Sequence, residues 1–304
     1  MKAVQFSEYG GPEVLTVVQV AEPHAGGAQV RIAVRAAGVN AWDWKLRQGL
    51  MREQMPLDLP AGVGLDASGV VDEVGEGAHG VAVGDAVFGS CPGVGGSGAY
   101  AQFAVLDHWV AKPARMAFEE AAGYGVPVET AVRILDQVGV RWGQVLLVSG
   151  ASGGVGSAVL QIAIDRGITV IATGSPANQD YLRGFGAIPT TYGQGLVQRV
   201  RGITPDTIDA ALDIAGSGVI DELIELTGDP AKVLSIADFG AGAKGAKVST
   251  TAVRQEEAYN QAAALFEAGK FTLPVEQTFT LEQAGAAHQA SQAGHVRGRF
   301  IITV

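Results

Sequence analysis

Short stretches of alternating apolar and polar residues fill the beginning of the chain. Lys2–Phe6, Leu15–Val20, Gln29–Ala36, Ser68–Val74, Asp85–Phe88 and Tyr100–Val105 are rich in β-branched residues, and Gly, Pro and Asp separate them. That pattern predicts an all-β unit with many turns. From Phe118 onward the period changes. Strand-like runs at Gln144–Ser149, Thr169–Thr173, Ala187–Thr191, Ile208–Ile214, Lys232–Ala237 and Lys247–Thr251 alternate with helix-patterned stretches, which predicts a parallel sheet covered on both faces. The β style returns at Glu276–Phe279 and Arg299–Val304, around a helix over Leu281–Ala293. The expected architecture is α/β: a β-rich domain formed by 1–121 and 269–304, with a doubly wound parallel sheet, 122–268, inserted into it. A ligand is expected in a cleft at the boundary.

The strand at Val145–Ser149 runs straight into Gly150-Ala151-Ser152-Gly153-Gly154-Val155-Gly156-Ser157. A helical pattern follows, with apolar residues at Val155, Ala158, Val159, Ile162 and Ala163, spaced i, i+3, i+4, i+7 and i+8. Ala151, Gly153 and Gly156 occupy the three places of a G-x-G-x-x-G spacing. Strand, glycine turn and helix together open a dinucleotide-binding βαβ unit. There the backbone of Ala151, Ser152, Gly153, Gly154, Val155 and Gly156 approaches a pyrophosphate, whose charge meets free N–H groups at the helix start. The plain alternative is a tight turn.

The second strand of this unit ends Thr173-Gly174-Ser175-Pro176-Ala177-Asn178, and no acid appears before Asp180. An NAD site usually carries a carboxylate here for the ribose 2′-hydroxyl. Without one, a 2′-phosphate is not repelled, and Ser175 and Asn178, beside Gly174, offer it neutral donors. NADPH is therefore the expected cofactor, although no Arg or Lys lies nearby. Turn and cap chemistry is the competing explanation of the same residues.

A formal charge of −10 argues against nucleic acid or an anionic membrane as the main partner. No apolar run approaches the roughly 18 residues of a membrane span, and no basic leader is evident, so a cytoplasmic protein is expected. The single cysteine, Cys91, excludes an internal disulfide and any multi-cysteine zinc site. The five histidines lie at no ligand spacing, and each is expected at the surface or in a turn.

Several motifs, in order, resemble the zinc-independent medium-chain dehydrogenase/reductases, specifically the zeta-crystallin-like quinone oxidoreductase family. They are Met1-Lys2-Ala3-Val4 with Gly10-Gly11-Pro12-Glu13-Val14-Leu15, Ala37-Gly38-Val39-Asn40 with Asp43-Trp44-Lys45, and Gly64-Leu65-Asp66-Ala67-Ser68-Gly69. Val83-Gly84-Asp85-Ala86-Val87, Gly98-Ala99-Tyr100-Ala101, the glycine turn and Arg297-Gly298-Arg299 complete the match. The resemblance implies a GroES-like catalytic domain and a Rossmann NADP-binding domain. Zinc-dependent relatives carry a cysteine where this chain has Asn40, and a His-Glu pair near Leu65-Asp66, so no metal is expected. Lacking a Lewis acid, the implied reaction is hydride transfer from NADPH to a quinone or another α,β-unsaturated carbonyl. An enoyl reductase or tailoring enzyme for one metabolite is the alternative, and a non-catalytic NADPH-binding sensor is a third reading.

The same resemblance places Asn40 near the nicotinamide ribose and the substrate oxygen. Asp43 and Lys45, close along the chain, could pair with each other and are assigned to shaping the site, with Trp42 and Trp44 as a candidate aromatic wall. Thr130 matches the position that meets the nicotinamide carboxamide, while Glu129 is expected to face solvent. Tyr192 is assigned to the adenosine phosphate, Phe239 and Gly240 to the nicotinamide ring, and Arg299 (with Arg297) to the cofactor. Gly240–Gly245 is read as a flap or a loose turn. Tyr9, Tyr100 and Tyr124 are candidate proton donors by position only. Cys91 is expected in a loop bordering the substrate mouth. A homodimer is expected, with Lys247–Thr251 adding edge to edge.

Overall fold

The computed structural model describes residues 1–92, 96–204 and 208–304. The first of its two units comprises 1–126, 255–268 and 272–304. It is built on β3 (Val30–Gly38), whose alternating burial puts Val30, Ile32 and Val34 into the core. β5 (Asp66–Val74) pairs along one side of β3, from Val30 opposite Val74 to Gly38 opposite Asp66. The other side is shared: β7 (Phe103–Leu106) takes Val30–Ala33, and β16 (Arg299–Thr303) takes Ala36–Gly38. β6 (Ala86–Ser90), β8 (His108–Ala111) and β15 (Val275–Thr280) complete this seven-stranded sheet. A smaller sheet has the order β2 (Thr16–Gln19), β1 (Lys2–Phe6), β4 (Ala61–Gly62). The core they enclose includes Phe6, Ile32, Tyr100, Leu106, Phe300 and Ile302.

Among the described residues, four α-helices lie wholly within this unit: α1 (Ala41–Arg47), α2 (Phe118–Ala122), α8 (Gln255–Glu267) and α9 (Ala284–Ala293). α8 departs from the sequence boundary, which put it in the inserted domain. Its Ala258, Tyr259 and Ala262 are buried, and Tyr259 packs on Phe88 of β6 with ring centroids 5.8 Å apart. A helical period reveals that a face will be buried, not against what.

The second unit, 127–254 with 269–271, holds a parallel six-stranded sheet. Its strands are β9 (Val145–Ser149), β10 (Thr169–Gly174), β11 (Ile188–Thr191), β12 (Ala210–Asp213), β13 (Val233–Ser235) and β14 (Lys247–Val248), in the order β11-β10-β9-β12-β13-β14. Strand order reverses between β9 and β12, the point where open α/β sheets take ligands at their carboxyl ends. α3 (Gly125–Val138), α4 (Gly154–Asp165), α5 (Gln179–Gly184), α6 (Leu196–Ile203) and α7 (Ile220–Thr227) alternate with the strands. Leu147, Ile171, Val200, Ala211, Leu223 and Val233 form the core on one face. The Gly240–Gly245 stretch is neither flap nor loose turn: Phe239–Lys244 is a 3-10 helix, with the Asp238 carboxylate accepting from the Gly240 N–H at 2.8 Å. The last strand is shorter than Lys247–Thr251, ending at Val248.

Of the five histidines, expected at the surface or in turns, His288 departs from expectation. His288 on α9 is wholly buried, and burial together with the Arg47 charge lowers its pKa to about 3, so it is neutral. His24 and His108 each face a carboxylate, Glu73 at 3.2 Å and Glu256 at 2.5 Å. Cys91 directly follows β6, outside the strand, and is buried, and burial raises its thiol pKa. No described helix is long and apolar enough to cross a membrane.

Candidate active site

In the first unit, strand pairing brings the polar residues of the site together. Gly38 and Asp66 are cross-strand partners, and Gly38 also pairs with Ile301, two residues after Arg299. Asp66 thereby becomes the acceptor for three distant segments. Its Oδ2 receives Asn40 Nδ2 at 3.0 Å and Arg299 Nη2 at 3.1 Å, and its Oδ1 receives the Val126 N–H at 2.7 Å. Gly125 makes the last contact feasible, because a Cβ there would lie 2.3 Å from Asp66 Oδ1. Burial pushes the Asp66 carboxyl up, while Arg299, Asn40 and the Val126 N–H pull it back.

Asn40 is the residue before α1, in extended backbone conformation. Its own N–H donates to Asp43 Oδ2 at 2.8 Å, reached from the third helical position. The Tyr100 hydroxyl donates to the same oxygen at 3.0 Å. Asp43 is 1% exposed, and burial raises its pKa from 3.8 to about 7 against those two donors, with the Asp66 charge adding to the rise. Asp43 thus belongs to Tyr100 and not, as expected, to Lys45. The Lys45 ammonium instead lies over the Trp44 ring, 5.6 Å from its centroid.

Arg299 also departs from its expected place. Its guanidinium is buried against Asp66, so its charge is committed inside the fold. Of the three candidate tyrosines, Tyr100 joins this cluster. Tyr124 packs its ring edge on Phe88 at 5.8 Å, and Tyr9 packs on Phe6 at 6.1 Å. Four groups are drawn together: the Asn40 amide, the Asp43 and Asp66 carboxyls and the Tyr100 phenol. They constitute a buried hydrogen-bonded set that fixes the Asn40 amide, since Asp66 takes one of its two N–H bonds.

The second unit carries a glycine-rich helix start of its own. β9 ends at Ser149, Gly150 turns with φ +87°, and α4 starts at Gly154 with no side chain capping it. The N–H groups of Gly154, Val155 and Gly156 precede the first helical bond, from Ser157 N to Gly153 O, and are oriented toward an anion. Gly156 is required by close approach, since a Cβ would lie 2.4 Å from Gly150 O. Ala151 fits the first place because it is buried with ordinary backbone. Ser157 Oγ contacts Ser152 O at 3.3 Å and Tyr181 Oη at 3.0 Å, bracing the turn from below.

At the end of β10, Ser175 opens a 3-10 turn over Pro176–Asn178, and Asn178 is buried. Gln179, which the sequence reading passed over, donates to the carbonyls of Gly174, Ser175 and Thr190 at 3.0–3.2 Å and shapes this corner. Tyr192 is half exposed beyond β11, on a loop whose carbonyls at 191–194 all accept from Arg199. Phe239 is exposed at the start of its 3-10 helix. On α3, Thr130 is buried beside Arg133, and Glu129 forms a buried ion pair with Arg133 at 2.9 Å instead of facing solvent.

Known proteins share this fold. Residues 26–115 match the model of the alcohol dehydrogenase GroES-like domain, and 187–302 match that of the zinc-binding dehydrogenases. An alcohol dehydrogenase superfamily protein from Novosphingobium aromaticivorans is 30% identical, with a TM-score of 0.89 over 100% of this chain and 99% of its own. Human quinone oxidoreductase is 41% identical over 177 residues, 57% of this chain and 52% of that protein. This chain belongs to the zeta-crystallin-like medium-chain dehydrogenase/reductases. The chain spans about half the length of the curated quinone oxidoreductases it matches. A mycobacterial member of the fold solved with NADPH is 27% identical, with a TM-score of 0.83 and full coverage of both chains. This medium-chain dehydrogenase/reductase has, among its described residues, no group of three or more His, Cys, Asp or Glu side chains able to hold a metal.

Proposed function

We propose that this oxidoreductase uses NADPH to reduce a quinone or another α,β-unsaturated carbonyl, without zinc. The observation that carries the reading is the corner after β10. Gly174 to Asn178 contains no carboxylate, while Ser175 and the turn at Asn178 would meet a ribose 2′-substituent with neutral donors. The first acid beyond it, Asp180, is exposed and paired with Arg183. The pyrophosphate fits the uncapped start of α4, where the Gly156 contact admits no side chain. Ala151, Ser152, Gly153, Gly154, Val155 and Gly156 would hold it, with Gly174, Ser175, Asn178 and Tyr192 toward the adenosine end. Thr130 and Phe239 would serve the nicotinamide end.

Bound NADPH would supply the hydride. Asn40 keeps one amide N–H beyond the bond to Asp66, and that N–H is the donor proposed for the substrate oxygen. Asn40 occupies the place of the zinc-ligating cysteine of metal-dependent relatives, and its commitment to Asp66 supports a metal-free reaction. The mycobacterial neighbour solved with NADPH and the human quinone oxidoreductase point the same way.

Titrating the protein in chelator with NADPH and with NADH, then adding 1,4-benzoquinone or a small enone, tests the proposal. The expected result is tighter NADPH binding and acceptor-dependent NADPH oxidation. Binding without turnover on either acceptor would redirect the assignment to a specialised enoyl substrate, and no binding would overturn it. Gly156→Ala serves as the site control. Forcing a Cβ against Gly150 O costs about 1–3 kcal/mol, so NADPH should bind roughly tenfold to a hundredfold more weakly. Unchanged affinity on a fluorescence titration would remove the α4 cradle from the cofactor site.

A further inference from the structure

Glu129 and Arg133 stand one helical turn apart on α3, both more than nine-tenths buried. Arg133 Nε donates to Glu129 Oε1 at 2.9 Å and Nη2 to Oε2 at 3.2 Å, a forked pair. The remaining valences of the pair reach elsewhere in the same unit. Arg133 Nη2 donates to Thr130 Oγ1 at 3.4 Å, and Arg133 Nη1 donates to Ser249 Oγ. Glu129 Oε1 accepts the Val253 N–H at 2.9 Å.

Two consequences follow from donor and acceptor chemistry. Arginine has no acceptor, so Thr130 must use a lone pair toward Arg133, which leaves its own proton for a different acceptor. The segment that leaves the carboxyl end of β14 is gripped twice, at Ser249 by Arg133 and at Val253 by Glu129, while Thr250, Thr251 and Ala252 between them are exposed. Carboxyl ends of the strands are the ligand side of such a sheet.

We infer that the Glu129–Arg133 pair is a positioning device for the nicotinamide end of the cofactor, setting the Thr130 hydroxyl as a donor to the carboxamide oxygen and holding residues 249–253 in place beside it. This rests on the NADPH reading above and assigns the part of the ligand that these two residues control. The described hydrogen bonds of Glu129 and Arg133 run to each other, Thr130, Ser249 and Val253, a different part of the unit from the adenosine corner at Gly174–Asn178, so their influence divides the cofactor into two halves.

The division supplies the test. Glu129→Gln removes the counter-charge but keeps an acceptor for Val253. Arg133→Lys keeps the charge but lacks the fork that spans Glu129, Thr130 and Ser249. Dissociation constants for NADPH and for 2′,5′-ADP, which lacks the nicotinamide half, are measured by calorimetry on both variants and the parent. The expected result is about a tenfold or greater rise for NADPH with 2′,5′-ADP within roughly twofold of the parent. Preserved 2′,5′-ADP binding also certifies that the variants are folded. Equal weakening of both ligands would mean that the pair merely holds the unit together, and unchanged NADPH binding would detach it from the site. Either outcome overturns the inference. If the parent binds neither nucleotide, the cofactor reading itself falls and takes this inference with it.

Discussion

Asp66→Asn is expected to lower the unfolding free energy by about 3–5 kcal/mol, the usual cost of stranding one partner of a buried ion pair. The carboxylate is fully buried and answers three donors, from Asn40, Val126 and Arg299. Asparagine fills the same volume but brings an NH2 group into a pocket already crowded with N–H donors, and it leaves the Arg299 guanidinium without its counter-charge. Urea unfolding at pH 7 reads the loss directly. The double replacement Asp66→Asn with Arg299→Met should recover part of it, because the orphaned charge is then gone. A single-variant loss under about 1 kcal/mol would show that Arg299 finds another acceptor and that the pair is dispensable. Activity should fall further than stability alone accounts for, since the Asn40 amide loses the acceptor that fixes its plane.

Asp43→Asn should change how stability depends on pH. In the folded protein burial holds the Asp43 carboxyl at about 7, against 3.8 when exposed. Between those values the folded state binds the proton and the unfolded state has released it. Stability from this group is therefore present at low pH and is lost as pH rises toward 7, the reverse of a salt-bridged aspartate. Asparagine does not titrate. Its stability relative to the parent should climb between pH 4 and pH 8, by an upper limit on the order of 4 kcal/mol at about 1.4 kcal/mol per pH unit. Asp66, Arg299 and Tyr100 face the same carboxyl and remain in both proteins, so the difference between the two curves isolates Asp43. Parallel curves from pH 4 to 8 would show an ordinary, fully ionised aspartate.

Local pattern made much of the architecture readable. Lys2–Phe6 and Val145–Ser149 follow from alternation and from a bounded apolar run, and the glycine turn into α4 follows from spacing. The polar cluster was another matter. Asp66 and Arg299 are 233 residues apart, and no periodicity links them. They meet only because β3 places Gly38 between β5 and β16. Asp43 and Lys45, expected to pair, are two apart on a helix and so do not face each other, a reason that was available in the sequence. Glu129 and Arg133 carried the opposite signal, an i,i+4 acid and base, beside a threonine already singled out. His288 gave no cue at all. Its burial comes from the packing of α9, whose Ala-rich face conceals how close the Tyr100 ring lies, 5.7 Å between centroids.

The pairing of β3 with β16 bears on how the chain is made. All of residues 127–254 leave the ribosome before Arg299 does, so the parallel sheet can close on itself during synthesis. Ala36–Gly38, synthesised far earlier, must wait with an open hydrogen-bonding edge until Ile301–Thr303 arrive. An open edge of that kind is a template for the wrong strand. The polypeptide therefore carries this exposure to misassembly through the interval when residues 127–254 have already folded and β16 is still inside the exit tunnel.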